Sequence, residues 1–278
     1  MRILFYGNCQ TFVLQQVLNI QLPHITRNIE CFSTNISHKE FDIIIKNSDI
    51  IITQPISSNY RNLEYLSSEY IINNCNPSCK IIMFDSCYFN FYYFDLTYKT
   101  VNNNLIINPT DYHYNGLIDC YTNGLSREYY ITHFVNNLSL KTNEELIKHA
   151  TKSLAELRQR HYNTIKTYSK HSNISFISCV DFIENNYKEK LLFYSMNHPT
   201  KYVIQNISAQ IIAMLNIPNT MLYDLDVLNN VKCIIYKCIQ NVVNFNIEDL
   251  TPCISHVINT TNVVSLYYDT YNELKITF

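Results

Sequence analysis

The residue best suited to chemistry near the start of the chain is Cys9, which lies in the sequence Gly-Asn-Cys-Gln at 7–10. A short apolar run at 2–6 precedes Gly7, and apolar residues recur at helical spacing over 10–20. This order predicts a strand, a sharp turn and a helix that begins beside Cys9. Amides at a helix N-terminus stabilise a thiolate and could also hold an oxyanion. Cys9 is therefore a candidate nucleophile, and the alternative is a buried thiol in an ordinary turn.

A second candidate for chemistry, His198, lies in the sequence Asn-His-Pro-Thr at 197–200. A strand is predicted before it at 191–194, and a helix is predicted after it at 201–215, with Pro199 in the first turn. Parallel strands end at one edge of a sheet, so we expect His198 at the same sheet edge as the cysteine, where it would act as a base. The alternative is a histidine on the surface, or one in the core whose ring nitrogens already have hydrogen-bond partners.

The elements that position these residues are predicted from further apolar runs. Unbroken runs at 49–54 and 80–84 predict central strands covered on both faces, and a helix is predicted between them at 62–74. Strands that alternate with helices predict an α/β fold with a doubly wound, central parallel sheet.

The domain organisation is predicted from the remainder of the chain. Charged residues alternate with Leu, Ile and Ala over 142–170, which predicts a long exposed helix. We expect one catalytic α/β domain over 1–215 that includes this helix, and a C-terminal extension over 216–278 packed on it. Clustered Phe and Tyr residues at 88–94 indicate core packing, although the wall of a cleft is the alternative.

Polar residues that follow the predicted strands are candidates for contact with a substrate or cofactor. Ligands of doubly wound sheets bind at the carboxyl ends of the strands. With the glycine of the first turn, these candidates are Gly7, Gln54, Asp85, Ser86 and Asn197.

Composition and charge exclude several classes of function. The formal net charge is −2, with 21 basic and 23 acidic residues and no dense basic run, so no nucleic-acid groove is expected. No apolar stretch is long enough to span a bilayer, and the N-terminal segment is too polar for a signal peptide. We expect an intracellular, cytoplasmic protein. The abundance of Tyr, Ile and Asn resembles AT-rich genomes such as those of large DNA viruses, in which case the compartment would be the host cytoplasm.

The ten cysteines are scattered through predicted strands and helices, as reduced and mostly buried thiols are. We expect none to form a disulfide. The pair Cys75 and Cys79 lacks a second Cys or His pair at ligand spacing, so no metal site is expected.

Taken together, four segments resemble the WcbI family of polysaccharide-biosynthesis enzymes, a cysteine-bearing relative of the SGNH hydrolases. The segments are FYGNCQ at 5–10, TQPISSNYR at 53–61, DYHYNGLI at 111–118 and FIENNYKEKLLFYSMNHPT at 182–200. The resemblance covers about the first 215 residues. It implies a flavodoxin-like three-layer sandwich and acyl transfer with coenzyme A, supplied as acetyl-coenzyme A, as a ligand.

The resemblance also implies roles for particular residues. Cys9 would occupy the nucleophile position and His198 the position of the base, while the main-chain amide of Gln10, beside Asn8, would donate to an oxyanion. One departure is Ser195, because SGNH enzymes usually have Asp three residues before the histidine. The third member of the triad is then missing or comes from elsewhere, with Asp85 and Asn197 as the candidates.

The remaining candidates are weaker. Gln54 could donate to the oxyanion or contact the substrate. Tyr60, Arg61 and His113 could shape the pocket for the acceptor or cofactor, and Lys201 could bind a coenzyme phosphate at a helix start. An exposed charge or an ordinary turn is the alternative for each.

Three functions are compatible with these residues. The first is an acyltransferase that uses acetyl-coenzyme A to acylate an amine or hydroxyl of a sugar, nucleotide-linked or destined for a glycan, either through a Cys9 thioester or by direct transfer with His198 as base. The second is an esterase or deacetylase on acylated sugars, and the third is a glycan- or nucleotide-binding module without catalysis. The sequence leaves open whether the chain forms a homo-oligomer.

Overall fold

The computed structural model describes residues 1–19, 26–30, 36–217 and 225–276. The strands are β1 Ile3–Gly7, β2 Thr26–Glu30, β3 Ile50–Thr53, β4 Lys80–Phe84, β5 Leu96–Thr97, β6 Thr100–Val101, β7 Asn104–Leu105, β8 His113–Tyr114, β9 Ile174–Ile177, β10 Phe193–Ser195, β11 His198–Pro199, β12 Val231–Lys232, β13 Cys253–Ile254 and β14 Val257–Ile258. The α-helices are α1 Cys9–Asn19, α2 His38–Lys46, α3 Ser68–Asn74, α4 Asn115–Thr122, α5 Arg127–Tyr130, α6 Asn143–Tyr168, α7 Val180–Asn186, α8 Lys201–Met214 and α9 Thr260–Glu273.

The chain divides into two compact units. Unit 1 contains residues 1–87, 155–184 and 201–227, and unit 2 contains residues 88–154, 185–200 and 228–278. This division differs from the single boundary expected between 215 and 216. The physical reason is that the chain passes back and forth between the units, and the C-terminal segment completes unit 2. For example, Ile234 N–H donates to the hydroxyl of Tyr114 at 2.7 Å.

Unit 1 contains a five-stranded parallel sheet in the order β2-β1-β3-β4-β9. Every residue of β1 and β3 is buried, which requires both faces of the sheet to be covered. On these faces α1 packs against α8, and α2 packs against α3. The strand order is that of flavodoxin-like folds. The predicted α/β class with a central parallel sheet is therefore confirmed.

The last strand of the sheet is a correction to the sequence prediction. β9 occupies the edge beside β4, whereas the predicted strand at 191–194 forms β10, which pairs antiparallel with β11 in a separate hairpin of unit 2. The chain reverses at once after β10, so this run cannot extend a parallel sheet. Pro199 pairs with Phe193 in the hairpin and lies outside α8, which begins at Lys201.

The helix predicted over 62–74 is shorter in the structure. Only α3 is α-helical, and two single 3₁₀ turns precede it. Arg61 and Asn62 have φ angles of 54° and 56°, which interrupt a right-handed helix. The helix then begins after Ser67, whose side chain accepts from the N–H of Tyr70.

Unit 2 contains three short strand pairs, β5-β8, β6-β7 and β10-β11, and the three-stranded sheet β12-β13-β14, around a core rich in tyrosine. The aromatic stretch at 88–94 contributes to this core, since Phe89, Phe91, Tyr92 and Tyr93 are at most 3% exposed. The interpretation of this stretch as core packing is confirmed. The long predicted helix is α6, and the division between the units falls within it, after Leu154.

No helix in the described ranges is long and apolar enough to cross a bilayer.

Candidate active site

The turn that carries Cys9 lies between β1 and α1 in unit 1. β1 ends at Gly7 and α1 begins at Cys9 itself. Asn8 caps the helix, since its Oδ1 accepts from the N–H of Gln10 at 2.9 Å and its carbonyl accepts from the N–H of Thr11 at 3.0 Å. Cys9 is half-buried. The thiol thus lies at the positive end of an eleven-residue helix, where a thiolate is favoured.

The cap corrects the role expected for Gln10. Its main-chain amide, predicted as an oxyanion donor, is hydrogen bonded to Asn8 Oδ1. An N-cap side chain takes up one of the otherwise unpaired amides of the first helical turn, and here it takes this one. In the described conformation the amide is therefore occupied.

The side chains of Gln10 and Gln54 form a buried amide network with Asn8 and Cys87. Gln54 Oε1 accepts from Asn8 N–H at 2.9 Å, and Gln54 Nε2 donates to Gln10 Oε1 at 3.1 Å. Gln10 in turn binds the main chain of Cys87, accepting from its N–H at 2.9 Å and donating to its carbonyl at 3.0 Å. The network fixes the residues on both sides of Cys9 to the segments that follow β3 and β4.

Gly7 gives this network the space it needs. A Cβ at this position would lie 2.6 Å from Gln54 Oε1 and 2.7 Å from a methyl group of Thr11. Gln54 is 3% exposed, and both ends of its amide have partners in the network. Gln54 thus holds the residue before Cys9 through hydrogen bonds within unit 1.

Asp85, at the carboxyl end of β4, is bound to a histidine that the sequence did not single out. Its Oδ2 lies 2.5 Å from His161 Nδ1, and its Oδ1 lies 3.4 Å from Thr164 Oγ1. Burial raises the pKa of Asp85, and the neighbouring imidazole opposes that rise. No sequence signal marks His161, because it stands in an ordinary charged helix and its partner is 76 residues away.

The other candidates of unit 1 have varied surroundings. Ser86 and Tyr60 are half-buried, and Tyr60 packs against the hydrophobic core. Arg61 is exposed at its left-handed position. Lys201 begins α8, with its ammonium 5.5 Å from the centre of the Tyr202 ring.

His198 lies in unit 2, at the start of β11. Its Nδ1 is buried and has no hydrogen-bond partner among the described residues. The ring contacts Tyr112 edge-on, with 5.7 Å between the ring centres. Burial lowers the pKa of His198 to about 4. At neutral pH the imidazole is therefore uncharged, which is the form a general base requires.

Neither proposed third member of the triad binds this ring nitrogen. Asn197 Oδ1 accepts from Tyr112 at 2.5 Å and from Ser195 Oγ at 3.2 Å, and its Nδ2 donates to Tyr98. The Asp85 carboxylate binds His161 instead. Asn197 thus fixes the hairpin loop beside His198, and the hydrogen-bonding capacity of Nδ1 stays unused in the described part of the chain.

His113 does not fit the predicted pocket role. It is fully buried in unit 2, with Nδ1 at 2.8 Å from the Tyr271 hydroxyl and Nε2 at 3.2 Å from the Ile106 carbonyl. Both ring nitrogens are engaged within the fold, because β8 directs the ring against α9. Its surroundings are those of a core residue.

The cysteines of the described ranges are all free thiols, of which Cys9 and Cys253 are half-buried and the others buried. The buried Cys87 and Cys179 contact each other at 3.6 Å. No cluster of three metal-binding side chains occurs in the part of the chain that the structure describes.

Comparison with known proteins places the chain in a family. No curated protein sequence matches it. A solved structure of the polysaccharide biosynthesis enzyme WcbI, described as native protein without a disulfide bond between coenzyme A and one of its cysteines, superposes with a TM-score of 0.79 at 21% identity. The superposition covers 98% of this chain and 90% of that one. The sequence profile of the polysaccharide biosynthesis enzyme WcbI matches residues 2–220, and the chain therefore belongs to the WcbI family.

Proposed function

We propose that this protein is an acyl-coenzyme A-dependent acyltransferase that acetylates an amine or hydroxyl group of a sugar, in nucleotide-linked form, during glycan biosynthesis. The family is named for polysaccharide biosynthesis, which supports a sugar as acceptor. The description of the solved relative names coenzyme A together with a cysteine of that protein, which supports an acyl thioester as donor.

The observation that carries the proposal is the placement of Cys9. It is the one half-buried cysteine among the described residues of unit 1, where Cys75, Cys79, Cys87 and Cys179 are buried. It stands at the first position of α1, and the amide network holds its neighbours. An accessible thiol at a helix N-terminus is suited to accept an acyl group from another thiol.

Two chemical routes use these residues. In the covalent route, the Cys9 sulfur bonds to the acyl carbon while the bond to the coenzyme sulfur breaks. A general base then removes a proton from the acceptor as it attacks the thioester, and the bond from the acyl carbon to the Cys9 sulfur breaks. One thioester replaces another, so the intermediate is close in energy to the donor. In the direct route, a general base deprotonates the acceptor for attack on acetyl-coenzyme A itself, the bond to the coenzyme sulfur breaks, and the positive end of the α1 dipole stabilises the oxyanion.

The test is calorimetric titration with acetyl-coenzyme A, followed by turnover measurements with candidate nucleotide sugars. The wild-type protein, Cys9→Ala and the control Cys253→Ala, which removes the half-buried thiol of β13, are compared. We expect saturable binding to all three. Turnover should persist in Cys253→Ala and be lost in Cys9→Ala on the covalent route, or fall partially on the direct route.

Other outcomes identify the rival functions. Hydrolysis of acetylated sugars without any coenzyme would replace the proposal by an esterase or deacetylase. Binding of a sugar nucleotide that Cys9→Ala leaves unchanged, with no turnover, would replace it by a binding module. Absence of acetyl-coenzyme A binding to the wild-type protein would overturn the proposal itself.

A further inference from the structure

The Asp85–His161 pair has the geometry of a catalytic dyad. A carboxylate can only accept hydrogen bonds, so Asp85 Oδ2 at 2.5 Å requires the proton of the neutral imidazole to be on Nδ1 of His161. Nε2 then carries the lone pair. The contact thus fixes both the tautomer and the orientation of the ring, as the acid of a catalytic triad does.

The exposure of the two partners differs in the way that catalysis requires. The Asp85 side chain is 5% exposed, whereas 22% of the His161 side chain is exposed. The imidazole Nε2 has no hydrogen-bond partner among the described residues, while Thr164 Oγ1 lies near the second carboxylate oxygen. The carboxylate is thus enclosed, and the basic nitrogen is open to a proton donor.

The dyad and Cys9 lie at the same edge of the sheet in unit 1. β1, β3 and β4 are consecutive parallel strands, so their carboxyl ends lie about 10 Å apart from first to last. Gln10, directly after Cys9, spans this distance and binds the main chain of Cys87, two residues after Asp85. The amide network therefore connects the cysteine turn to the loop that carries the dyad.

We propose that His161, oriented by Asp85, is the proton acceptor for the Cys9 thiol, directly or through one water molecule. The Cys9 proton passes to His161 Nε2, and the resulting thiolate attacks the acyl carbon of the donor thioester. The new carbon–sulfur bond forms as the bond to the coenzyme sulfur breaks. The leaving thiolate then takes the proton back from His161, so no other reactant is needed.

This inference rests on the proposed function and assigns the base of its first step. His161 serves the exchange between the coenzyme thioester and the Cys9 thiol. Asp85 is a positioning residue, because it acts through the imidazole. The charged group nearest the dyad is Arg160 on α6, whose guanidinium is paired with Glu156.

The test measures the reactivity of Cys9 without using the acyltransferase assay. Alkylation by iodoacetamide is followed from pH 5 to 9, and the Cys9 peptide is quantified by mass spectrometry. We expect His161→Gln to raise the pH midpoint of Cys9 alkylation by about one unit or more, with a roughly tenfold lower rate at pH 7. His171→Gln, which alters the turn after α6, is the control and should match the wild type.

Turnover measurements and a second variant complete the test. His161→Gln should lower kcat by about 10²-fold with little change in KM for acetyl-coenzyme A, and added imidazole should restore part of it. If His161→Gln fails to fold because Asp85 loses its partner, the double variant Asp85→Asn with His161→Gln replaces the pair by two amides. If either variant folds and its Cys9 is alkylated with the same pH midpoint and rate as in the wild type, the inference is overturned.

The two proposals fail in different ways. A chain that neither binds nor uses acetyl-coenzyme A, yet shows alkylation of Cys9 that depends on His161, would refute the acyltransferase and keep the activated thiol. An active acyltransferase whose Cys9 reactivity does not depend on His161 would keep the proposed function and refute the role of His161.

Discussion

His198 combines a buried, unpartnered Nδ1 with a pKa that burial lowers to about 4. The unfolded chain would bind a proton at this histidine near pH 6.5, so between pH 6.5 and about 4 the unfolded state holds more protons than the folded state. The contribution of His198 to the free energy of unfolding is therefore fully present above pH 6.5 and is lost as the pH falls from 6.5 to about 4.

The first prediction concerns the titration of this residue. In a histidine-selective ¹H–¹³C NMR spectrum, the ring signal of His198, assigned by its absence in His198→Gln, should titrate near pH 4. Urea unfolding should also show that His198→Gln loses less stability than the wild type between pH 6.5 and 4.5. A His198 signal that titrates near pH 6.5 would contradict the burial of this ring.

At the level of single residues, the sequence placed Cys9 correctly in a turn from strand to helix and predicted its surroundings less well. A cysteine between a strand-ending glycine and an apolar helix is a local signal, and the helix does begin there. The cap by Asn8 and the contact between Asp85 and His161 depend on tertiary neighbours. Spacing in one sequence cannot show such contacts, so the occupied Gln10 amide and the dyad were both missed.

Among the elements, the turn from β1 to α1 depends on the lack of a side chain at Gly7. A Cβ there would lie 2.6 Å from Gln54 Oε1 and would displace the amide that binds Asn8. Gly124 favours glycine for a different reason: its φ is +66°, which strains other residues, although no atom lies within 4 Å of an added Cβ.

The second prediction compares these two glycines. Gly7→Ala should lower the free energy of unfolding by about 1–3 kcal/mol through overpacking and also slow alkylation of Cys9, because the amide network moves. Gly124→Ala should cost about 1 kcal/mol of backbone strain and leave Cys9 reactivity unchanged. Urea unfolding and iodoacetamide labelling measure both effects. Equal labelling rates in the two variants would show that the network does not position Cys9.

The strands of the parallel sheet were predicted best where the apolar run was continuous. β3 and β4 lie within the predicted runs, since buried parallel strands need apolar residues on both faces. β9 carries Ser175 within its four residues and escaped prediction. The apolar run before His198 was assigned to the sheet because a hairpin strand and a parallel strand have the same composition when both are buried.

For the whole molecule, residues 228–278 of the C-terminal segment are part of unit 2 rather than a separate extension. The hydroxyl of Tyr267 donates to the carbonyl of Tyr112 at 2.6 Å, and Cys233 N–H donates to the carbonyl of Tyr194 at 2.8 Å. These contacts join the last residues to the strands near His198. The sequence could not reveal them, because the segment has no periodic pattern of its own.

The third prediction follows from this organisation. A chain truncated after Val227 should lose protection of the main-chain amides in 110–118 and 191–200 against hydrogen exchange, because their partners in unit 2 are removed. A chain truncated after Glu273, where α9 ends, should keep that protection. Mass spectrometry of the exchanged peptides measures the difference. Unchanged protection after truncation at Val227 would show that the C-terminal segment is dispensable for unit 2.

The transfer of an acyl group to Cys9 can be tested most directly by mixing the protein with acetyl-coenzyme A, quenching in acid and locating the acetyl group by peptide mass spectrometry. We predict a thioester on the Cys9 peptide that forms within one turnover, is absent in Cys9→Ala, persists in Cys253→Ala and disappears when the acceptor sugar is added. Acetylation at another residue, or turnover of an acceptor with Cys9 unmodified at every time point, would contradict the covalent role of Cys9.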